Sequence, residues 1–363
     1  MKDKMIEFLL KNANPSIKRR VKNEILNNLT HEDAAIYQEQ ILTEPKIKQC
    51  FACQLENGWF GHGFHGTSKN VVQFENQETC TKYLGEKAID KDTPQLKRSM
   101  AAFVDIPLND LCYETRGKII DEFKVTGQGQ NLLRCACIAR AGYGDVIDIN
   151  PQIHLALDSF KRVLEVDSVL DVSRPIRAGK QRVFNDYEKW PNRYLLDMLA
   201  HTDVWKNKEN IEMIAASVAK MMRTDRQELI GEAMIPLSWL GYALGGLGTF
   251  PTQGLSIKCN GVYPTPILSQ PRKPEFYNME YIYWFARCGI VPHIPILQEA
   301  VQDILNHVND DGICHIPVAD SLFKGWGPYA GLQLEVDWKS KVRKYCDITF
   351  RVLLILHYSK IEF

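Results

Sequence analysis

The chain has 363 residues, 45% of them apolar and 24% charged, which is the composition of a soluble globular protein with ample material for a core. Lys plus Arg and Asp plus Glu both number 44, so no net field points to nucleic acid, an anionic membrane surface or a polyanionic substrate. The opening apolar run is too short for a secretory leader, and the longest run, near Val352–Leu356, falls far below membrane-spanning length. Cysteines at 50, 53, 80, 135, 137, 288 and 346 lie inside apolar stretches, where reduced cysteine behaves as a small hydrophobe. The expectation is a reduced, cytoplasmic protein.

In chain order the helical signal dominates. Pro15 opens a segment to Asn28 whose apolar residues Ile17, Val21, Ile25 and Leu26 follow a 3.6-residue period. Thr43-Glu-Pro repeats the device, with Thr43 read as the cap of a helix that runs to Leu55. A short apolar segment covers 78–87, and Thr93-Pro opens the next helix. Asn131–Ala141 is apolar over most of its circumference, so it reads as buried on several sides, whereas Asn150–Glu165 has a polar flank. Further pairs are Trp190–His201 with Lys208–Met222, and Glu275–Cys288 with Ile294–Val308; Lys341–Tyr358 closes the chain. Ala139-Arg-Ala-Gly142 and Ala286-Arg-Cys-Gly289 each end an apolar helix with a glycine suited to the left-handed terminal residue. Polar-faced and all-round apolar helices thus alternate, which favours a closed double ring over an open solenoid.

Two stretches break the rhythm. Residues 224–274 are rich in Gly and Pro and cannot form one regular helix; they are expected to pack over the ring as a lid. Residues 310–340 are the second irregular stretch.

Residues 54–66, Gln-Leu-Glu-Asn-Gly-Trp-Phe-Gly-His-Gly-Phe-His-Gly, predict a tight reversal with an aromatic plug and polar capping groups. Gln54-x3-Gly58-Trp59, with a weaker echo in Asp311-Gly312-Ile313, resembles the turn signature of the α/α-toroid superfamily, which holds terpenoid cyclases and protein prenyltransferases. The resemblance implies an all-α fold: an α/α toroid of two concentric rings of helical hairpins, one domain over 1–363 with 224–274 as an insertion. It also implies that the loops at 57–76, 113–130, 171–190, 255–275 and 310–340 share one face at the mouth of a central cavity. The first and last repeats would then be neighbours, bringing His62 and His65 towards Cys314 and His315. The cyclase Asp-x-Asp-Asp string is absent from the sequence, and Cys346-Asp347 has no matching His for the prenyltransferase zinc triad. Helical-toroid polysaccharide lyases use His, Tyr, Arg and Asn, parts that His62, Tyr113, Arg116 and Asn131 would take.

On this reading His62, His65, Tyr113, Arg116 and His315 are the acid–base candidates, because histidines in glycine-flanked loops titrate near neutrality and allow close approach. Gln130, Phe276, Tyr277 and Trp326 are the substrate-binding candidates, as aromatics and amides placed to line a cavity. His62 and His65 are alternatively two metal ligands, a site that needs a third and fourth ligand, and no cofactor motif occurs; 127–130 is no nucleotide loop. The Cys50/Cys53 and Cys135/Cys137 pairs read as core. The expected function is an enzyme acting on a small or medium organic substrate by acid–base chemistry, cyclase-, transferase- or lyase-like, with neither nucleic acid nor membrane as partner. The alternative is a non-catalytic ligand-binding or scaffold toroid.

Overall fold

The computed structural model describes residues 1–64, 74–105, 128–167, 171–176, 181–184, 191, 193–222, 277–318 and 333–361. The helices are α1 (Lys2–Asn12), α2 (Pro15–Arg20), α3 (His31–Leu42), α4 (Pro45–Ala52), α5 (Gln77–Glu86), α6 (Pro94–Asp105) and α7 (Gln128–Arg140). They continue as α8 (Asn150–Glu165), α9 (Arg193–Ala200), α10 (Lys208–Met222), α11 (Tyr277–Arg287), α12 (Pro295–Leu305) and α13 (Lys341–Ser359). Among the described residues the fold is helical apart from one antiparallel hairpin, β1 (Ser173–Ile176) with β2 (Gln181–Phe184), paired Ser173 to Phe184 and Ile176 to Gln181. That hairpin occupies part of 171–190, a stretch read from sequence as one of the loops at the cavity mouth. Among the described residues no helix is long and apolar enough to cross a membrane.

The expected alternation is present. In α5, α9 and α13 buried residues run round the whole helix, from Gln77 to Leu84, Tyr194 to Ala200 and Cys346 to Leu356. By contrast α8 buries one stripe, Ile153, Ala156, Ser159, Phe160 and Val163, and α12 the stripe Leu297, Ala300, Val301, Ile304 and Leu305. The enclosed helices pack in succession: α5 on α7, α7 on α9, α9 on α11 and α11 on α13. The striped helices lie against them, α6 on α5, α8 on α7 and α9, and α12 on α13.

The two ends of the chain meet. Helix α1 packs on α13, and Gly312 lies so close to the backbone of Met5 that a Cβ there would stand 2.5 Å from the Met5 nitrogen. Lys4 donates to the Asp310 carbonyl at 2.6 Å, and the Asn14 N–H donates to the Glu335 carboxyl at 2.7 Å. Tyr358 donates to Glu24 at 3.0 Å, from the last helix to the turn after α2.

Local chemistry explains the ends. The segment after α2 is a π turn, Val21–Ile25, with the Leu26 N–H reaching back to the Val21 carbonyl, so the predicted single helix 15–28 widens and stops near Asn27 at φ 50°. Thr43 does not cap α4. Its hydroxyl donates to the Gln40 carbonyl and so closes α3, while Glu44 occupies the cap position of α4 without a side-chain bond to that helix. Helices α7 and α11 end as the Ala-Arg-x-Gly motif predicts, with Gly142 at φ 77° and Gly289 at φ 76°, and with the Tyr143 and Ile290 N–H groups bonded back to Ile138 and Phe285. The reversal at 54–64 holds Gly58 at φ 86°, and a Cβ there would lie 2.4 Å from the Arg98 carbonyl. Gln54 donates to the carbonyls of Gly58 and Gln95. Trp59, Phe64 and Phe103 then form the plug, with ring centroids 5.4–5.9 Å apart.

Candidate active site

The enclosed helices meet over charges, not over an apolar centre. Glu86, the last residue of α5 and 2% exposed at its side chain, takes Arg20 at 2.6 Å, Arg140 at 3.0 Å and Arg351 at 3.2 Å. Arg140 ends α7 and also reaches Asp197 of α9 at 3.4 Å and Glu280 of α11 at 3.2 Å. Asp197 in turn meets Lys82 at 3.3 Å, and Lys82 holds Glu78 at 2.8 Å one turn back along α5. On the other side Arg20 pairs with Glu24, and Arg20 and Arg287 both donate to the Tyr283 hydroxyl, at 3.2 and 2.9 Å. Five carboxylates (Glu24, Glu78, Glu86, Asp197, Glu280) therefore face five cations (Arg20, Lys82, Arg140, Arg287, Arg351).

Aromatic faces complete the shell. The Arg351 guanidinium stands 4.5 Å from the Tyr283 ring centre, Lys82 4.8 Å from Tyr194 and Arg20 5.0 Å from Phe350.

Burial alone would raise these carboxyl pKa values, but neighbouring cations win. Arg20, Arg351 and Arg140 hold Glu86 well below the usual carboxylate range despite its desolvation, and Arg140 and Lys82 do the same for Asp197. His201, just past α9, donates from Nδ1 towards the Asp197 carbonyl at 2.7 Å. Burial and then the Arg287 charge push its pKa down, so the ring is neutral at pH 7.

A second polar cluster lies at the seam between the chain ends. Asp347 of α13 accepts from the N–H groups of Leu334 and Glu335 and from the Trp338 indole, at 2.9, 3.0 and 2.6 Å. Burial raises the Asp347 pKa to about 6 against these three donors, and burial with the Asp347 charge raises that of Glu335 further, to about 8. Lys87 bridges Glu44 and the Leu334 carbonyl there.

Of the residues predicted from sequence, His62 is exposed on the segment leading into α5. That segment is held against the helix start: Gly63 bridges Asn76, and the Gln77 and Glu78 N–H groups donate to the Gly63 and Phe64 carbonyls. His62 is thereby brought close in the fold to the first turn of α5. His315 is exposed, accepts at Nε2 from the Asn309 amide N–H at 3.2 Å and packs edge-on to Tyr345. Cys314 is buried, and desolvation raises its thiol to about 12, which removes it as a nucleophile at neutral pH. Gln130 falls in the first turn of α7 and Tyr277 opens α11. His65, Tyr113, Arg116, Phe276, Trp326 and the 224–274 insertion lie outside the described residues.

The charged residues of the interior were missed by sequence reasoning. Part of their signal was present: Asp197 and Arg351 each interrupt an apolar run and Arg140 closes one, where an unpaired charge would cost roughly several kcal/mol per ion. Among the described residues no group of three or more His, Cys, Asp or Glu side chains is placed to hold a metal ion. No protein-family model matches the chain, and neither a curated protein nor a solved structure is found similar to it.

Proposed function

We propose that the chain is a closed α/α toroid of six helical pairs and an enzyme acting on a small or medium organic substrate by acid–base chemistry. Six elements, the enclosed α5, α7, α9, α11 and α13 together with α2 and its π turn, each send charge to one network, which supports ring closure. The observation that carries the catalytic reading is the placement of Glu78 and Glu280. They stand in the first turns of α5 and α11; Glu78 pairs with Lys82 one turn on along α5, and Glu280 meets Arg140 across the interior.

Carboxylates in that position serve as general base or acid, and the adjacent cations stabilise negative charge that develops on a substrate. His62, on the segment bonded to the first turn of α5, is the neighbouring proton carrier. The reading needs neither nucleic acid nor membrane, and the free thiols of the described cysteines suit a reducing, cytoplasmic setting.

A second reading rests on the same charges: every carboxylate of the network already has a cation, as a purely structural lock would require. Incubation of the full chain with a small-metabolite extract, followed by mass spectrometry, separates the two. The enzyme reading expects a depleted substrate and a new product, with turnover falling by about 10²–10⁴-fold in Glu78→Gln or Glu280→Gln. His62→Ala should lower turnover without lowering the melting temperature. Unchanged turnover in both carboxylate variants, or no conversion by the parent chain, leaves the scaffold reading standing.

A further inference from the structure

The interior has a second approach, at the C-terminal ends of α5 and α7. A cavity of about 440 Å³ opens there, between Gly85–Asp92 and Arg140–Gly142 on one side and Arg19–Glu24 with Leu29 on the other. Gly142 faces open space, since a Cβ built on it meets nothing within 4 Å.

Helix C-termini ordinarily favour cations, but here their carbonyls are already engaged. The Ala88 and Ile89 N–H groups close the end of α5, the Gly142 and Tyr143 N–H groups close α7, and Arg20 donates to the Glu86 carbonyl at 3.3 Å. The side chains therefore decide what the cavity accepts. Glu24 and Arg20 neutralise each other within the wall. Arg19 is different: it donates to the neutral Gln38 amide at 2.6 Å, and its carboxylate neighbour Asp90 stays 3.6 Å away and 46% exposed. A pair that long, with its carboxylate that wet, contributes little, so the guanidinium, on a side chain 12% exposed, keeps charge to offer. Asn23, on the next turn of backbone, adds an amide donor, and Leu29, Ala88 and Ile89 add apolar surface.

We infer that this cavity binds a small organic anion, its carboxylate forked onto Arg19 and Asn23 and its apolar body laid on Leu29, Ala88 and Ile89. Arginine matches planar carboxylates through two parallel N–H bonds, which a lysine in its place reproduces only as a point charge.

Isothermal titration of the full chain with a panel of small monocarboxylates, their neutral amides and inorganic phosphate tests the assignment. At least one carboxylate is expected to bind, with its amide weaker by about tenfold or more, the loss of one charge-assisted fork. Arg19→Gln should weaken that carboxylate by a similar factor, Arg19→Lys by less, and Leu29→Ala should weaken it while leaving the charge intact. Melting temperatures of the unliganded variants identify any that fail to fold. The assignment falls if no carboxylate binds at roughly 10 mM, the limit of a weak small-molecule site. It falls equally if phosphate matches the best carboxylate, which would mark a bare anion site, or if folded Arg19→Gln binds like the parent.

Discussion

Replacing Glu86 by Gln removes the one carboxylate that three arginines share, while keeping its shape and length. At about 3 Å and an effective dielectric constant near 20, each full ion pair is worth roughly 5–6 kcal/mol of gross attraction. Against this stands the desolvation of the carboxylate, several kcal/mol (roughly) that the variant no longer bears. Arg20 retains Glu24, and Arg140 retains Asp197 and Glu280, which limits the loss further. The net destabilisation expected for breaking such a buried cluster is about 3–5 kcal/mol. That is a large fraction of the roughly 5–15 kcal/mol typical of a folded domain. Urea titration followed by circular dichroism reads it as a lower midpoint at unchanged slope. Adding Arg351→Met tests the cause, because removing a cation together with its carboxylate should recover at least about 1 kcal/mol relative to additive singles. A loss under about 1 kcal/mol in Glu86→Gln would refute the reasoning and show that the arginines find water or other partners at no cost.

The backbone predictions concern glycine. Gly58→Ala and Gly312→Ala combine positive φ with Cβ contacts of 2.4 and 2.5 Å on backbone, so each should lower the thermal midpoint more than Gly142→Ala, which has the same φ problem in open space. On pH, the lowered pKa of His201 means that the unfolded chain binds its proton first. Stability is therefore lost as pH falls below about 6.5, and His201→Gln should flatten that part of a melting-temperature profile. Glu335 has the opposite sign. Its raised pKa, about 8, means that the folded state keeps a proton the unfolded state has released. Its contribution to stability declines as pH rises from about 4.5 to 8, and Glu335→Gln should remove that decline.

How much of the site was legible follows from what each residue touches. The reversal at Gln54–Trp59 and the ends at Gly142 and Gly289 depend on a few neighbouring residues, and their chemistry is visible in the string itself. His62 and His315 stood out because histidine between loop glycines or beside Cys is conspicuous, yet both are exposed in the folded chain. Arg140 stood in plain view inside Ala139-Arg-Ala-Gly142 and passed as a helix-end residue. Nothing local says that it turns inward to meet Glu86 of α5, Asp197 of α9 and Glu280 of α11.

The sequence by itself determined that this protein is helical, where most of its enclosed and half-exposed helices run, and how α7 and α11 stop, because periodicity, proline starts and glycine ends act over a turn or two. Only the tertiary structure decided which charges share the interior, which carboxyl of the Glu335–Asp347 pair keeps the proton, and where a cavity remains beside Arg19. Those properties depend on distances between residues tens to hundreds of positions apart, such as Arg20 and Arg351 closing on Glu86. Coulomb energies and desolvation are set by such distances and by burial, and neither is written along the chain.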